Sequence, residues 1–224
     1  MGQLRSIHVN VDQPSRAENM RVLAIGAHPD DIEIGCGGTL LWHKELQDEI
    51  RLLVMTDDLR SGDDFRLQRR FEAQQSAGML GAELTFGGLP DKSLEVARGI
   101  EVIEAVASNF SPDLVYAHDP RDTHQDHRSV GYAALSAFRR QQSILLYRSL
   151  TSRSPEGNVF TDIDSFLKQK LELVAQHASQ VQPAGFIDLE LLAAIARATG
   201  HAARTKHAES FHAERLVLTT CFER

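Results

Sequence analysis

The chain is poor in cysteine, in aromatic residues and in long apolar runs. Its two cysteines, Cys36 and Cys221, form no C-x-x-C pair. That excludes a zinc knuckle or a dithiol redox centre and is compatible with a reducing cytoplasm. No apolar stretch approaches the ~20 residues needed to span a bilayer, and Met1-Gly2-Gln3-Leu4-Arg5-Ser6 lacks the apolar centre of a signal peptide. Positive charge is also in deficit, 24 Lys and Arg against 31 Asp and Glu, for a net charge of −7. An acidic surface gives neither nucleic acid nor an anionic membrane a reason to approach. The expectation is a soluble cytoplasmic protein that handles a small molecule.

What is present is ordinary globular material: 224 residues, 42% hydrophobic and 25% charged, with no internal repeat or low-complexity tract. Such a chain fits one large domain. Short Val-, Ile- and Leu-rich runs alternate with helical spacing, which is the pattern of βα units feeding an α/β parallel sheet with helices on its faces. The expected strands are 21–27, 50–56, 84–87, 114–118 and 144–147, and the expected helices 39–49, 66–80, 99–110 and 125–140. In the second helix Leu67, Phe71 and Leu80 read as the buried stripe and Gly81 as the stop. Beyond residue 150 we expect a loop at 152–158, a helix at 164–178 capped by Asp162 or Asp164, a helix at 188–199 stopped by Gly200, and a last strand at 215–220. Residues 1–20 are a polar extension, and 21–224 form the domain.

Two clusters carry chemistry. Ala27-His28-Pro29-Asp30-Asp31 follows the first strand, and Asp122-Thr123-His124-Gln125-Asp126-His127 follows the fourth, which ends at His118. Ligands of open α/β sheets bind beyond the carboxyl ends of the strands, so both clusters stand in the expected crevice. Two imidazoles and one carboxylate, His28, Asp31 and His127, make an accepted catalytic zinc set with a position left for water. Asp30 is then free to accept a proton from a water whose pKa the ion lowers to roughly 7. His124, one turn from His127, serves as acid and oxyanion donor, with Asp126 orienting it.

Each residue also has a plainer account. An Asp-Asp pair after a strand is commonly a helix cap, and His124 with His127 suits a solvated helix start. Arg69 and Arg70 beside Glu72 suit a solvated face, and Asp91 suits a turn. His8, His43, His177, His201, His207 and His212 read as having no task. Gly35-Cys36-Gly37-Gly38 fits neither the dinucleotide fingerprint nor the P-loop, so those glycines read as close helix-on-sheet packing. The conjunction of two strand-end clusters with complementary ligand types is what favours function.

The stretch Ala27-His28-Pro29-Asp30-Asp31-Ile32-Glu33-Ile34-Gly35-Cys36-Gly37-Gly38-Thr39, with Asp122-x-His124-x-Asp126-His127, resembles the PIG-L/LmbE-like family of zinc-dependent N-acetyl-sugar deacetylases, including those of bacillithiol and mycothiol biosynthesis. Arg69-x-x-Glu72, Gly88-Leu89-Pro90-Asp91, Lys170 with His177-x-Ser179-Gln180, and Ala208-Glu209-Ser210-Phe211 are similar to weaker family signposts. The resemblance implies a Rossmann-like, mostly parallel sheet with helices on both faces and removal of an N-acetyl group from an amino sugar or an N-acetylglucosaminyl conjugate. It implies Zn2+ on His28, Asp31 and His127, although Fe2+ or another divalent metal suits the same ligands. It also implies Asp30 as base, His124 with Asp126 as acid and oxyanion pair, Arg69 and Asp91 as substrate contacts, and a trimeric or hexameric homo-oligomer. The alternatives are an amidase acting on a larger N-acyl or thiol-conjugate amide and a non-catalytic ligand-binding member of the fold. Three departures fall near substrate loops: Thr56-Asp57-Asp58-Leu59-Arg60-Ser61-Gly62 stands where many members have Thr-x-Gly-Glu, Tyr147-Arg148 where Tyr-Glu is frequent, and Gln125 where a Pro is usual.

Overall fold

The computed structural model describes residues 19–56, 63–140, 143–152 and 157–217. Seven strands form one sheet in the order β3-β2-β1-β4-β5-β7-β6. They are β1 Arg21–Gly26, β2 Glu49–Thr56, β3 Glu83–Leu89, β4 Leu114–His118, β5 Ile144–Tyr147, β6 Val159–Asp162 and β7 Ala208–Arg215. The first five are mutually parallel, and β7 runs antiparallel to both β5 and β6. Successive β1 side chains go to opposite faces, as the pleat requires. Val22 and Ala24 join the core under α1 (Asp31–Glu45), α2 (Asp63–Leu80) and α5 (Leu167–Ala175). Leu23 and Ile25 join the core under α3 (Val96–Phe110) and α4 (Gln125–Ala137). A smaller cluster, Ile34, Val174, Ile187 and Leu192, seats α6 (Leu189–Ala203). No described helix is long and apolar enough to cross a membrane.

The first helix starts at Asp31 rather than residue 39. It passes through its glycines because they are contact points. A Cβ on Gly35 would run into the Tyr147 ring, and one on Gly38 would lie 2.8 Å from Ile163 Cγ2. Cys36, with φ −143° and ψ 16°, interrupts the helical backbone, and the Glu209 carboxylate accepts from the N–H groups of Gly38 and Thr39 at 2.9 and 2.7 Å. Glu209 thus serves the donors that a kink leaves without helical partners.

Of the stripe expected on α2, Leu80 is buried but the other two residues are turned outward. Leu67 and Phe71 are 57% and 60% exposed, and the buried face is Glu72, Ala73, Ser76, Ala77 and Leu80. Small residues let this helix lie close to the sheet, and its largest side chains carry no packing information. Gly81 does end α2, with φ +68°. Gly200 does not end α6; it abuts Lys206 and His207 backbone, and the helix runs on to Ala203. The helix expected at 164–178 is shorter, and neither Asp162 nor Asp164 caps it. The last strand lies at Ala208–Arg215 instead of 215–220, whose residues from 218 on, with Cys221, lie outside the described residues. Also outside are residues 1–18, with His8, and 57–62, with most of the first departure.

Candidate active site

Strands β1 and β4 are sheet neighbours from which the order runs in opposite directions, so the crevice opens above their carboxyl ends. A cleft of about 310 Å³ lies there, lined by His28, Asp30, Asp31, Arg69, Asp91, His124 and His127 among others. Of the residues expected from sequence, all but Asp126 reach it.

Asp30 is the most unusual of these residues in its backbone. It has φ 109° and ψ −29°, a left-handed conformation that costs a residue with a Cβ of order 1–3 kcal/mol. It stands at the N-cap position of α1, yet its side chain caps nothing. The cap account of Asp-Asp therefore fails for Asp30. Its Oδ2 lies 3.3 Å from Arg69 Nη2, which also donates to the Pro29 carbonyl at 2.8 Å. Burial, helped by the neighbouring Asp31 charge and opposed by Arg69, pushes the Asp30 carboxyl up to about 6.

Asp31 is the hub of the cluster. Its Oδ1 is 3.2 Å from His127 Nε2, and its Oδ2 is 3.1 Å from His118 Nε2 and 3.3 Å from His28 Nδ1. Burial would raise its carboxyl, but His127 and His118 hold it well below the ordinary range. His118 is a site residue that sequence reasoning passed over. It is the last residue of β4, beside the end of β1, and its ring stacks on His127 with centroids 4.1 Å apart and planes at 12°. The available signal was that it closes the strand flanking the first cluster. Burial and the His127 charge push it down to about 4.

His127 is oriented from behind by Asp122. Its Nδ1 is 3.3 Å from Asp122 Oδ2, and that carboxylate accepts from the hydroxyls of Ser149, Thr151 and Ser152 and the backbone N–H of His124. Burial alone would lower His127, but Asp31 and Asp122 raise it to about 9. A carboxylate behind an imidazole fixes its tautomer and aim, so Asp122 has a job that the sequence reading left unassigned.

The Asp126 carboxylate does not orient His124. Its Oδ2 lies 3.3 Å from His28 Nε2, beside Asp91 Oδ1 at 3.0 Å from the same nitrogen, and accepts from the Lys92 N–H at 2.7 Å. Only the backbone N–H of Asp126 meets His124, donating to Nδ1 at 3.3 Å. The reason is geometric: His124 is the N-cap of α4, so the first-turn side chain of Asp126 projects away from it. Asp91 is likewise committed to His28, as well as lining the cleft. Despite burial, Asp126, Asp31 and Asp91 hold His28 well above its usual pKa; burial with the His127 and His28 charges lowers His124.

Other plain accounts also give way. Arg70 stacks over the Phe86 ring at 4.1 Å, and Glu72 is buried, accepting from Ser179 N–H and Oγ at 2.9 and 2.6 Å. His177, expected to be idle, is buried with Nε2 3.2 Å from Glu33 Oε1. Neither of its ring nitrogens has a well-directed partner, so this is a charge contact rather than a hydrogen bond. His43 is structural as expected, bridging Asp48 and Tyr116 at 2.7 and 3.0 Å.

The donor set fits a divalent cation. Among the described residues, three groups present ligand atoms within 4.8 Å of one another: Asp31, His118 and His127; His28, His124 and His127; and His28, Asp91 and Asp126. The expected set of His28, Asp31 and His127 is not one of them, its members being shared between the groups. His118 Nε2 lies 3.1 Å from both the Ala27 nitrogen and Asp31 Oδ2, and its Nδ1 is buried without a partner. A cation held at Asp31 would compensate the carboxylate charge gathered at this buried hub.

Fold and site together define an α/β protein with a carboxylate–imidazole centre at the switch point of its sheet. The family model for GlcNAc-PI de-N-acetylase, PIG-L, matches residues 23–138. The "Uncharacterized deacetylase YaiS" of Escherichia coli K12 is 33% identical over 168 residues, covering 70% of this chain and 90% of that protein. The diacetylchitobiose deacetylase of Thermococcus kodakarensis is 31% identical, covering 71% and 70%. Among solved structures, the N,N'-diacetylchitobiose deacetylase from Pyrococcus horikoshii, complexed with its inhibitor MPG, superposes with a TM-score of 0.76 at 25% identity, covering 88% of this chain and 84% of the other. The chain belongs to the PIG-L family of de-N-acetylases.

Proposed function

We propose that the protein is a zinc-dependent deacetylase that hydrolyses the acetamide of an N-acetylglucosaminyl-type substrate to acetate and a free amine. The family membership and the deacetylases it resembles support the class of reaction. The observation that carries it at the site is Asp30. Its carboxylate is held in the cleft by a strained backbone, off the Asp31 hub and with no capping task.

His28, Asp31 and His127 would hold the ion, with His118 at the same hub. Bound there, a divalent cation polarises a carbonyl and makes a water acidic enough to lose a proton near neutral pH. Asp30, with a pKa of about 6, is mostly ionised at pH 7 and accepts the proton of the attacking water. The water oxygen bonds to the acetyl carbon, the C–N bond breaks, and Asp30 returns the proton to the departing nitrogen. His124 works as a neutral donor. Its Nδ1 accepts from the Asp126 N–H, which assigns the proton to Nε2, and its lowered pKa keeps it uncharged at pH 7. It supplies a hydrogen bond to the developing oxyanion. Arg69 secures Asp30 and, with Asp91, stands at the wall where sugar hydroxyls would bind.

The test is acetate release from N-acetylglucosamine, diacetylchitobiose and N-acetylglucosaminides, with chelated and zinc-restored protein. Zinc-dependent release supports the reading; no release from any of them with zinc bound overturns it. Sedimentation decides whether the protein assembles as the proposed trimer or hexamer.

A further inference from the structure

A second cavity of about 290 Å³ adjoins the catalytic cleft, and the two share Ile34, Ser149 and Leu150 in their walls. The second cavity therefore lies beside the first. Its polar groups are nearly all committed. The Ser149 and Ser152 hydroxyls donate to Asp122. Lys170 Nζ is paired with Glu209 at 2.6 Å and donates to the Ile34 carbonyl, while Glu209 also serves the α1 kink.

Arg148 is the exception. It lines this cavity, directly after β5 at the crevice end of the sheet. Among the described residues it has no carboxylate within ion-pair distance, and its Nε is buried without a hydrogen-bond partner. A buried N–H is expensive to leave in that condition. It is also the side chain whose planar fork best matches a carboxylate or a phosphate. The remaining wall, with Leu192 and Ile195 of α6, suits a short apolar linker. With Lys170 paired to Glu209, Arg148 is left, among the described residues, as an unpaired cation in this wall, in contrast to the net charge of −7 of the whole chain, and an anion is its natural partner.

We propose that this cavity is the subsite for the part of the substrate attached to the sugar, and that Arg148 binds an anionic group there, a carboxylate or a phosphate. The proposal rests on the deacetylase reading for what occupies the neighbouring cleft. Arg148 is a specificity residue in this account, remote from the bond that breaks.

The test measures binding and acetate release on the same ligands with the zinc-loaded protein. They are the N-acetylglucosaminide of 4-hydroxybutanoate, its methyl ester, and N-acetylglucosamine 1-phosphate. The expected result is about tenfold or more tighter binding of the acid than of the ester, or of the phosphate if that is the group recognised. R148Q should reduce that ratio to about one, and R148K, which keeps the charge but loses the fork, should give a ratio between the two. Equal binding of charged and neutral ligands overturns the proposal. So does a preference that survives in folded R148Q, because the anion is then held by the metal. Arg148-dependent binding without acetate release leaves the subsite standing and removes the deacetylase reading; acetate release without charge preference does the reverse.

Discussion

The tasks proposed for Asp30 and its neighbours fall within a few ångströms of one another, and single substitutions would separate them. Asn tolerates a positive φ better than most residues, so D30N should fold and keep its metal while losing 10²–10⁴ in kcat, the usual share of a general base. H127A should lose the metal itself. Metal content beside acetate-release rates checks both, and an active D30N removes the base assignment. The residue types at the centre were legible because imidazole and carboxylate at two strand ends admit few other uses. Their pairings were not. Asp126 turned to His28 and Asp122 to His127 because the choice depends on which way a first-turn side chain leaves α4, a matter of angle rather than spacing. His118 escaped notice as a strand residue. His177 escaped because its partner, Glu33, lies far away in the chain.

Elements meet here through contacts that hydrophobic pattern does not record. The α1 helix touches β5 at Gly35, and the Tyr147 ring behind it is fixed by its hydroxyl donating to the Ile25 carbonyl at 2.7 Å. G35A should therefore cost about 1–3 kcal/mol, typical of overpacking, read as a lower denaturant midpoint at unchanged slope. The five parallel strands were legible as apolar runs, since strands buried on both faces have little else to show. In contrast β6, half-exposed, and β7, with Glu209 pointing inward to α1, look like loop or surface. A second junction joins His177, after α5, to Glu33 of α1, which also accepts from Ser76 of α2 at 2.6 Å. Burial opposes both charges but the pair prevails, lowering Glu33 from 4.5 and raising His177 from 6.5. The His177 contribution is complete below pH 6.5 and fades as pH rises through its folded pKa. The Glu33 contribution is complete above pH 4.5 and fades as pH falls through its folded pKa. The stability gap between wild type and H177Q should accordingly be widest between about pH 4.5 and 6.5 and narrow above. A gap independent of pH in thermal unfolding contradicts the pairing.

For the molecule as a whole, the sheet, both cores and the centre are one unit, because the proposed ligands lie just beyond β1 and β4, which also form the middle of the sheet. A ligand that binds only the folded state stabilises it by RT ln(1 + [L]/Kd), about 4 kcal/mol at a thousandfold excess over Kd. Chelation should lower the Tm of the entire chain in one transition, and zinc should restore it; an unchanged Tm would mean that the ion is not held by the native fold. The strained backbone at Asp30 has a further consequence for how relatives are compared. The scaffold needs that position to adopt a left-handed turn, and Asn or Gly meets the need as well as Asp. A lineage can exchange Asp30 for either and keep its architecture, its clefts and its imidazoles. Superposition would then score a silent binder and a working hydrolase alike, so one carboxylate oxygen separates the two vocations.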